Sequence, residues 1–290
     1  MKRILTLTAI FLFVLASVSA VSFEPFVETE QGTIAVLYHT YRNGSGPDDS
    51  TMTTFDYVNM GGQDRLFPFE RYAVGATIAG RHRAWFTYQP FELVTNVKIP
   101  TTASPINIGD SVFEPGTPME ITYSFPFYRF SYTYDVLGKH DNAILGLGMV
   151  LQIRNVSIQF KALDDNDSTT TAQDLFVSNN VGLVPALAIY SEYRFPFGLN
   201  LSADIAGSYA SSSFFNGADF DFEGSILDAS LRMGYQVTDN WELFGNARFF
   251  GGTSDGTSQY DVDTWTESTS RYSQNNIATL SATVGVKWTN

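Results

Sequence analysis

The chain is built from stretches in which apolar and polar residues alternate one by one. The clearest covers residues 227–237. Leu227, Ala229, Leu231, Met233, Tyr235 and Val237 fall on one side, and Asp228, Ser230, Arg232, Gly234 and Gln236 on the other. A period of two marks a strand with one greasy and one polar face. Residues 199–209 and 278–288 repeat it, whereas no amphipathic 3.6-residue period persists. The pattern predicts an all-β fold of about ten strands, with eight or twelve as alternatives. The predicted strands lie near 32–43, 69–79, 82–97, 118–136, 143–162, 178–195, 199–210, 224–237, 240–252 and 276–288.

A soluble β-sandwich alternates too, so length and connection decide. These segments run about ten to twenty residues, against roughly 5–6 in ordinary sheets. A tilted strand crossing a bilayer needs about 9–11. Connectors alternate between tight turns at 79–81, 138–142, 196–198 and 238–240 and long polar loops at 44–68, 98–117, 163–177, 211–223 and 253–275. Short turns at one end and long loops at the other are the pattern of a membrane barrel, and ring closure removes exposed strand edges. Aromatic residues crowd several strands: Phe125, Phe127, Tyr128, Phe130, Tyr132 and Tyr134; Tyr190, Tyr193, Phe195 and Phe197; and Trp241, Phe249 and Phe250. They are expected to form interfacial girdles.

The start of the chain reads as an export leader. Met1-Lys2-Arg3 is basic, residues 4–18 are mostly apolar, and Ser17-Val18-Ser19-Ala20 ends in a small-x-small cleavage pattern. Residues 1–20 are thus predicted to be removed, leaving one domain over 21–290. With this leader, the ten alternating segments and a last strand ending in aromatic Trp288, the chain resembles the bacterial outer-membrane β-barrel superfamily. The resemblance is one of architecture and covers the whole mature chain. It implies a closed antiparallel barrel in the outer membrane of a diderm bacterium, surrounded by membrane lipids and lipopolysaccharide. It also implies that the barrel-insertion machinery reads the strand ending at Trp288, although Thr289 and Asn290 follow that residue.

Composition narrows the chemistry. The chain has 290 residues, no cysteine and a net charge of −13. Lack of cysteine excludes disulfides, thiolate metal sites and a cysteine nucleophile. The acidic balance, with no basic patch, speaks against nucleic acid as a partner. The five long loops hold seventeen acidic and three basic side chains. Such loops could bind lipopolysaccharide phosphates through divalent cations, attract cationic solutes, or simply keep the surface soluble. Asp164-Asp165-Asn166-Asp167 lacks the ligand spacing of a calcium loop, and no metal or cofactor is expected.

Projecting the alternation inward places Arg129, Arg154, Asp204, Asp228, Arg232 and Arg248 around the middle of the lumen. Asp135, Glu192, Arg194 and Glu242 lie nearer the short-turn end. Ten strands enclose a narrow lumen, so opposite charges there are expected to pair. Two functions follow: a narrow channel for passive diffusion of small solutes, or a non-conducting barrel that acts through its acidic loops. The latter role would be structural, adhesive or partner-binding. An enzyme is not expected. His82 and His140 belong to short turns, and His39, near the outer end of the first strand within possible reach of Glu70 or Arg71, has no acid following it. The omptin pattern of paired acids with a His-Asp unit is therefore missing from the sequence.

Overall fold

A computed structural model of the chain describes residues 21–46, 48–138, 140, 142–163, 175–211, 222–257 and 272–290. The leader, the Asp164–Asp167 run and most of the last three long loops lie outside the described residues. Strands and their connections make up the described chain, with no helix. In order they are β1 (Phe23–Gly44), β2 (Phe55–Asp56), β3 (Leu66–Ile78), β4 (His82–Gln89), β5 (Glu92–Lys98), β6 (Ile106–Ile108), β7 (Ser111–Phe113) and β8 (Pro118–Ser124). There follow β9 (Phe127–Asp135), β10 (Ala143–Ala162), β11 (Leu175–Arg194), β12 (Leu199–Ser211), β13 (Phe222–Gln236), β14 (Trp241–Thr257) and β15 (Tyr272–Thr289).

Ten of these close an antiparallel ring in the order β1-β3-β4-β9-β10-β11-β12-β13-β14-β15, with β15 returning to β1. The remaining pieces extend or cap its long-loop end. β5 continues β4 beyond Gln89-Pro90-Phe91, and β8 continues into β9 across Phe125-Pro126. Proline cannot donate to a ladder and so sits at interruptions of this kind. The first strand is longer than the alternation predicts. It begins at Phe23 rather than near residue 32, because Glu28 and Glu30 are inward residues of the barrel and not a polar leader to it.

Along some of the long strands the facing is kept while the contents of the two faces exchange. On β10, Leu147, Met149, Leu151 and Ile153 face outward and stand exposed, while Val150 and Gln152 are buried inside. Beyond Ile153 the outward residues become Asn155, Ser157, Gln159 and Lys161, and the inward ones Val156, Ile158 and Phe160. The same exchange occurs along the β8–β9 path. There, Arg129, Ser131 and Thr133 are the inward residues at one end, and Met119, Ile121 and Tyr123 those at the other. The outward apolar stretch of 145–153 matches the span a tilted membrane strand needs, about 9–11 residues. The barrel thus has an inside-out half with a greasy exterior, and a half built like a water-soluble protein beyond it.

On β1 a bulge between Val36 and Tyr38 shifts the register. Leu37 and Tyr38 both face outward, and His39 and Tyr41 turn into the interior. The girdle expectation needs a matching correction. Tyr128, Phe130, Tyr132, Tyr134 and Trp241 lie on the exterior, but Phe125, Phe127, Tyr190 and Phe250 are buried inside. Alternation puts only every second aromatic of such a run on the surface.

Leu231 stands 64% exposed in the middle of the outward belt. Leu231→Arg is expected to destabilise the barrel in lipid vesicles by about 2–4 kcal/mol, read from urea unfolding. An unchanged midpoint would contradict the facing described here.

Candidate functional site: the filled interior

The inside-out half of the lumen carries a lattice of charges drawn from strands all around the ring. Arg232 on β13 grips Glu28 on β1 with Nη1 and Nη2, at 2.8 and 2.9 Å. Arg71 on β3 lies 3.5 Å from Glu28 and also pairs with Glu30. Glu30 accepts further bonds from Asn246 Nδ2 at 2.9 Å and Thr283 Oγ1 at 2.6 Å. One layer further in, Asp228 is shared by Arg129 at 2.5 Å and by the Nε and Nη2 of Arg248 at 2.6 and 2.5 Å. Gln152 and Gln89 accept the spare donors of Arg129 and Arg248. Toward the short turns, Glu192 accepts from Tyr190 and pairs with Arg194 and, at 3.7 Å, with Arg83. The Arg83 guanidinium lies over the rings of Phe26, Trp85 and Tyr190.

Of the charged residues the alternation pointed inward, Arg129, Asp228, Arg232, Arg248 and Glu192 meet in this lattice. Glu242 is buried and takes a bond from Asn200 at 2.5 Å. Asp204 is half-buried beside Arg129, Arg71, Arg248 and Asp228. Arg194 sits at the rim with its side chain 53% exposed. Arg154 pairs through its backbone with Phe127 and Gly182, and its side chain lies outside the described residues. Asp135 belongs to the turn, where its carboxylate accepts from Leu137 N and Leu145 N. The sequence reading overlooked Glu28, Glu30, Arg71 and Arg83. The signal was present in Val27-Glu28-Thr29-Glu30, whose alternation is as strict as elsewhere but carries acids on the inward face.

The other half of the interior is apolar, not polar as the alternation suggested. Ile34, Phe69, Phe91, Phe125, Phe127, Phe250 and Ile277 begin a buried cluster that continues through Tyr123, Phe160 and Phe176. A cavity of about 10 Å³, lined by Gln89 and Arg248 on one side and Ile34, Phe69, Phe127 and Phe250 on the other, marks where lattice and cluster meet. Two loop segments complete the filling. β2 pairs with β1 above the end of β3, and Phe55 and Tyr57 enter the interior fully buried. Gln63, further along this loop, donates to Thr95 on β5 at 2.9 Å. The β6–β7 hairpin supplies Ile106, Ile108 and Phe113, and Gly109 N donates to the Asn43 carbonyl across the mouth.

His39 is part of this cap. Its ring stacks on Tyr57 with centroids 3.7 Å apart and meets Tyr123 edge-on. Glu70 and Arg71, the partners its position suggested, pair in register with Gln31 and Glu30, well down β1. Gln63 and Asp56 are the polar groups beside His39, but the Asp56 oxygens accept from Val58 N, Asn59 N and Asn59 Nδ2. Burial pushes the Tyr57 hydroxyl well above its ordinary pKa, so it stays neutral.

The geometry defines a closed ten-stranded barrel with an apolar exterior belt, the fold of outer-membrane β-barrel proteins. The chain is similar to the outer membrane protease OmpT from Escherichia coli, with a TM-score of 0.55 and 11% identity over 93% of this chain and 98% of that one. It also resembles a Pseudomonas aeruginosa FadL homologue (TM-score 0.37, 10% identity, 92% of this chain and 89% of that one). A third likeness is to OprG from the same organism, at TM-score 0.36 and 8% identity, covering 93% and 96%. No protein-family model and no curated protein matches the chain. At 11% identity the first likeness speaks to the fold alone.

Asp228→Ala would leave Arg129 and Arg248 facing each other in a buried layer. It is expected to cost about 3–5 kcal/mol in urea unfolding, and adding Arg248→Met should recover part of the loss. A single variant as stable as the parent would contradict the shared-carboxylate geometry. At the long-loop end, Asp49 accepts from the hydroxyls of Ser45 and Thr51, both at 2.6 Å, and from their backbone N–H groups. These bonds hold its carboxyl below the usual range. A depressed acid stabilises above its unfolded pKa and loses that contribution as pH falls through the folded value. The Thr51 amide signal in NMR is therefore expected to stay constant through mild acid and to shift only below the ordinary carboxylate range. A shift near the normal aspartate pKa would contradict the clamp.

Proposed function

We propose that this chain is an outer-membrane barrel closed to solute flow, which acts at the cell surface through its acidic outer loops. The leader ending at Ala20 carries it out of the cytoplasm, the barrel-insertion machinery receives the strand ending at Trp288, and the short turns face the periplasm. One observation carries the reading: the interior is occupied at two successive levels, by the charge lattice and then by the apolar cluster with its loop cap. Water has a high cost of entry into the second, and ions a higher one. The described parts of the outer loops present Asp48, Asp49, Asp56, Asp64, Asp110, Glu114, Glu223 and Asp255 against Arg65 and Lys98. That balance suits a cationic partner surface, or lipopolysaccharide phosphates bridged by divalent cations.

The alternative is a narrow channel for small solutes. Its support is the partial exposure of Ser202, Asp204, Ser230 and Arg232 on the inner wall, which gives the periplasmic half a partly hydrated vestibule. Catalysis is no part of the proposal, since His39 lies among aromatic rings and the carboxylate beside it is committed to its own turn.

Planar-bilayer recording of the refolded mature chain tests this reading. Closed protein is expected to give no discrete steps, while lipid-inserted material shows strand structure by circular dichroism. Reproducible steps from the same material would support the channel instead.

A further inference from the structure

Arg71, Arg83, Arg129, Arg232 and Arg248 point inward and lie against carboxylates. Arg81 is placed differently. It sits in the short turn between β3 and β4, on the outside of the barrel, in an otherwise acidic protein. Its Nη1 donates to the Tyr134 hydroxyl at 2.9 Å, its guanidinium rests 5.9 Å from the centre of that ring, and its carbonyl accepts from Asp135 N. Gly138, at φ 74°, lies directly beneath the guanidinium, where a Cβ would collide with Nη2. The side chain is therefore held in place by the neighbouring turn rather than waving in solvent, and among the described residues it keeps most of its donors free.

Next to it, His82 and Tyr134 pair across β4 and β9 and pack edge-on at 5.1 Å. The His82 Nδ1 shares a 2.8 Å hydrogen bond with the Tyr132 hydroxyl. All three side chains alternate outward with Phe86 and Phe130, which face each other in register one step deeper on the apolar belt. Val136 and Leu137 flank the group, both exposed. The inward Asp135 carboxylate is occupied by Leu137 N and Leu145 N. At the same end Arg194 is bound to Glu192.

We propose that Arg81, His82, Tyr132 and Tyr134 form a seat for the phosphodiester of an anionic phospholipid in the periplasmic leaflet. The guanidinium fork faces phosphate oxygens, the tyrosine hydroxyls lie at headgroup level, and Phe86 and Phe130 run beside the acyl chains. A soluble phosphate would use none of the apolar flank. A zwitterionic headgroup would bring an ammonium to a site that, among the described residues, offers a cation and no carboxylate. The seat rests on the membrane placement proposed above but not on closure of the lumen.

The test uses the refolded mature chain in phosphatidylcholine vesicles containing spin-labelled phosphatidylglycerol or spin-labelled phosphatidylcholine. The motionally restricted lipid is read by electron spin resonance at low salt. The restricted fraction is expected to favour phosphatidylglycerol about fivefold, the effect of one basic side chain at a membrane surface. Arg81→Gln should bring the ratio close to one, Tyr134→Phe should lower it partway by releasing the guanidinium, and Lys98→Gln at the opposite end should leave it intact. Equal restriction of the two lipids by the parent would overturn the seat, as would full selectivity in a folded Arg81→Gln chain. Displacement of the labelled lipid by soluble glycerol phosphate would overturn the choice of a lipid. No restricted lipid of either kind would overturn the seat and the membrane placement together.

Discussion

Inside hydrocarbon every backbone donor and acceptor must find a partner within the protein, and a sheet can meet that demand only by closing on itself. Here the closing seam joins β1 to β15, from Phe26↔Thr289 at one end to Gly44↔Tyr272 at the other. Closure fixes which side of each strand faces outward, and everything else in the molecule follows from that assignment. The strands outrun the span the membrane needs. In the membrane placement proposed above, the solvent outside changes from lipid to water past Ile153 on β10 and past Phe127 on the β8–β9 path, and the sequence answers by exchanging the contents of its two faces. Leu231 and Met149 belong outside for the same reason that Phe160 and Ile121 belong inside.

The exchange sets the character of the interior. Where the outside is greasy, the inward positions are left to polar residues, and a narrow bore brings those of opposite strands within reach of each other. Charges placed there are costly when alone and tolerable when shared, which accounts for the joint use of Asp228 by Arg129 and Arg248 and of Glu28 by Arg71 and Arg232. Where the outside is wet, the inward residues form an ordinary hydrophobic core, and such a core cannot be left open at its end. Phe55 and Tyr57 from one loop and Ile108 and Phe113 from the β6–β7 hairpin close it, much as loops complete the core of a soluble domain.

Much of the architecture was legible in the sequence. Strict alternation in 227–237 and 278–288, together with the rhythm of short turns and long loops, is enough for the ring and its strand number, because both follow from local chemistry. Five inward charges of the lattice could be read for the same reason. Glu28 and Glu30 were missed because acids near a chain start resemble a polar leader to a strand. Arg71 and Arg83 were hidden because their strands mix apolar and polar residues on both faces, as in Phe69-Glu70-Arg71-Tyr72. The apolar half of the lumen was missed although the phase change is written in Ile153-Arg154-Asn155-Val156. A strand that keeps its period while reversing its faces looks, by periodicity alone, like one that does not. The cap was hidden for a different reason: β2 and the β6–β7 hairpin are placed by long-range contacts with no local pattern of their own. His39 could not be placed without the bulge at Leu37, which sends its ring toward Tyr57 and away from Glu70.

A closed lumen requires the interior to be occupied where the lattice meets the apolar core, and Thr279 stands at that junction, 1% exposed and lining the small cavity between them. Because the chain has no cysteine, Thr279→Cys carries the sole thiol and can be probed in the vesicle-inserted barrel with a small, membrane-impermeant thiol reagent from either side. Ser202→Cys, on the partly exposed stretch of the inner wall, serves as the reactive comparison. Rapid labelling at 202 with none at 279 is the result expected of a closed barrel. Labelling at 279 at a similar rate in folded protein would mean that water threads the lumen and would contradict the account.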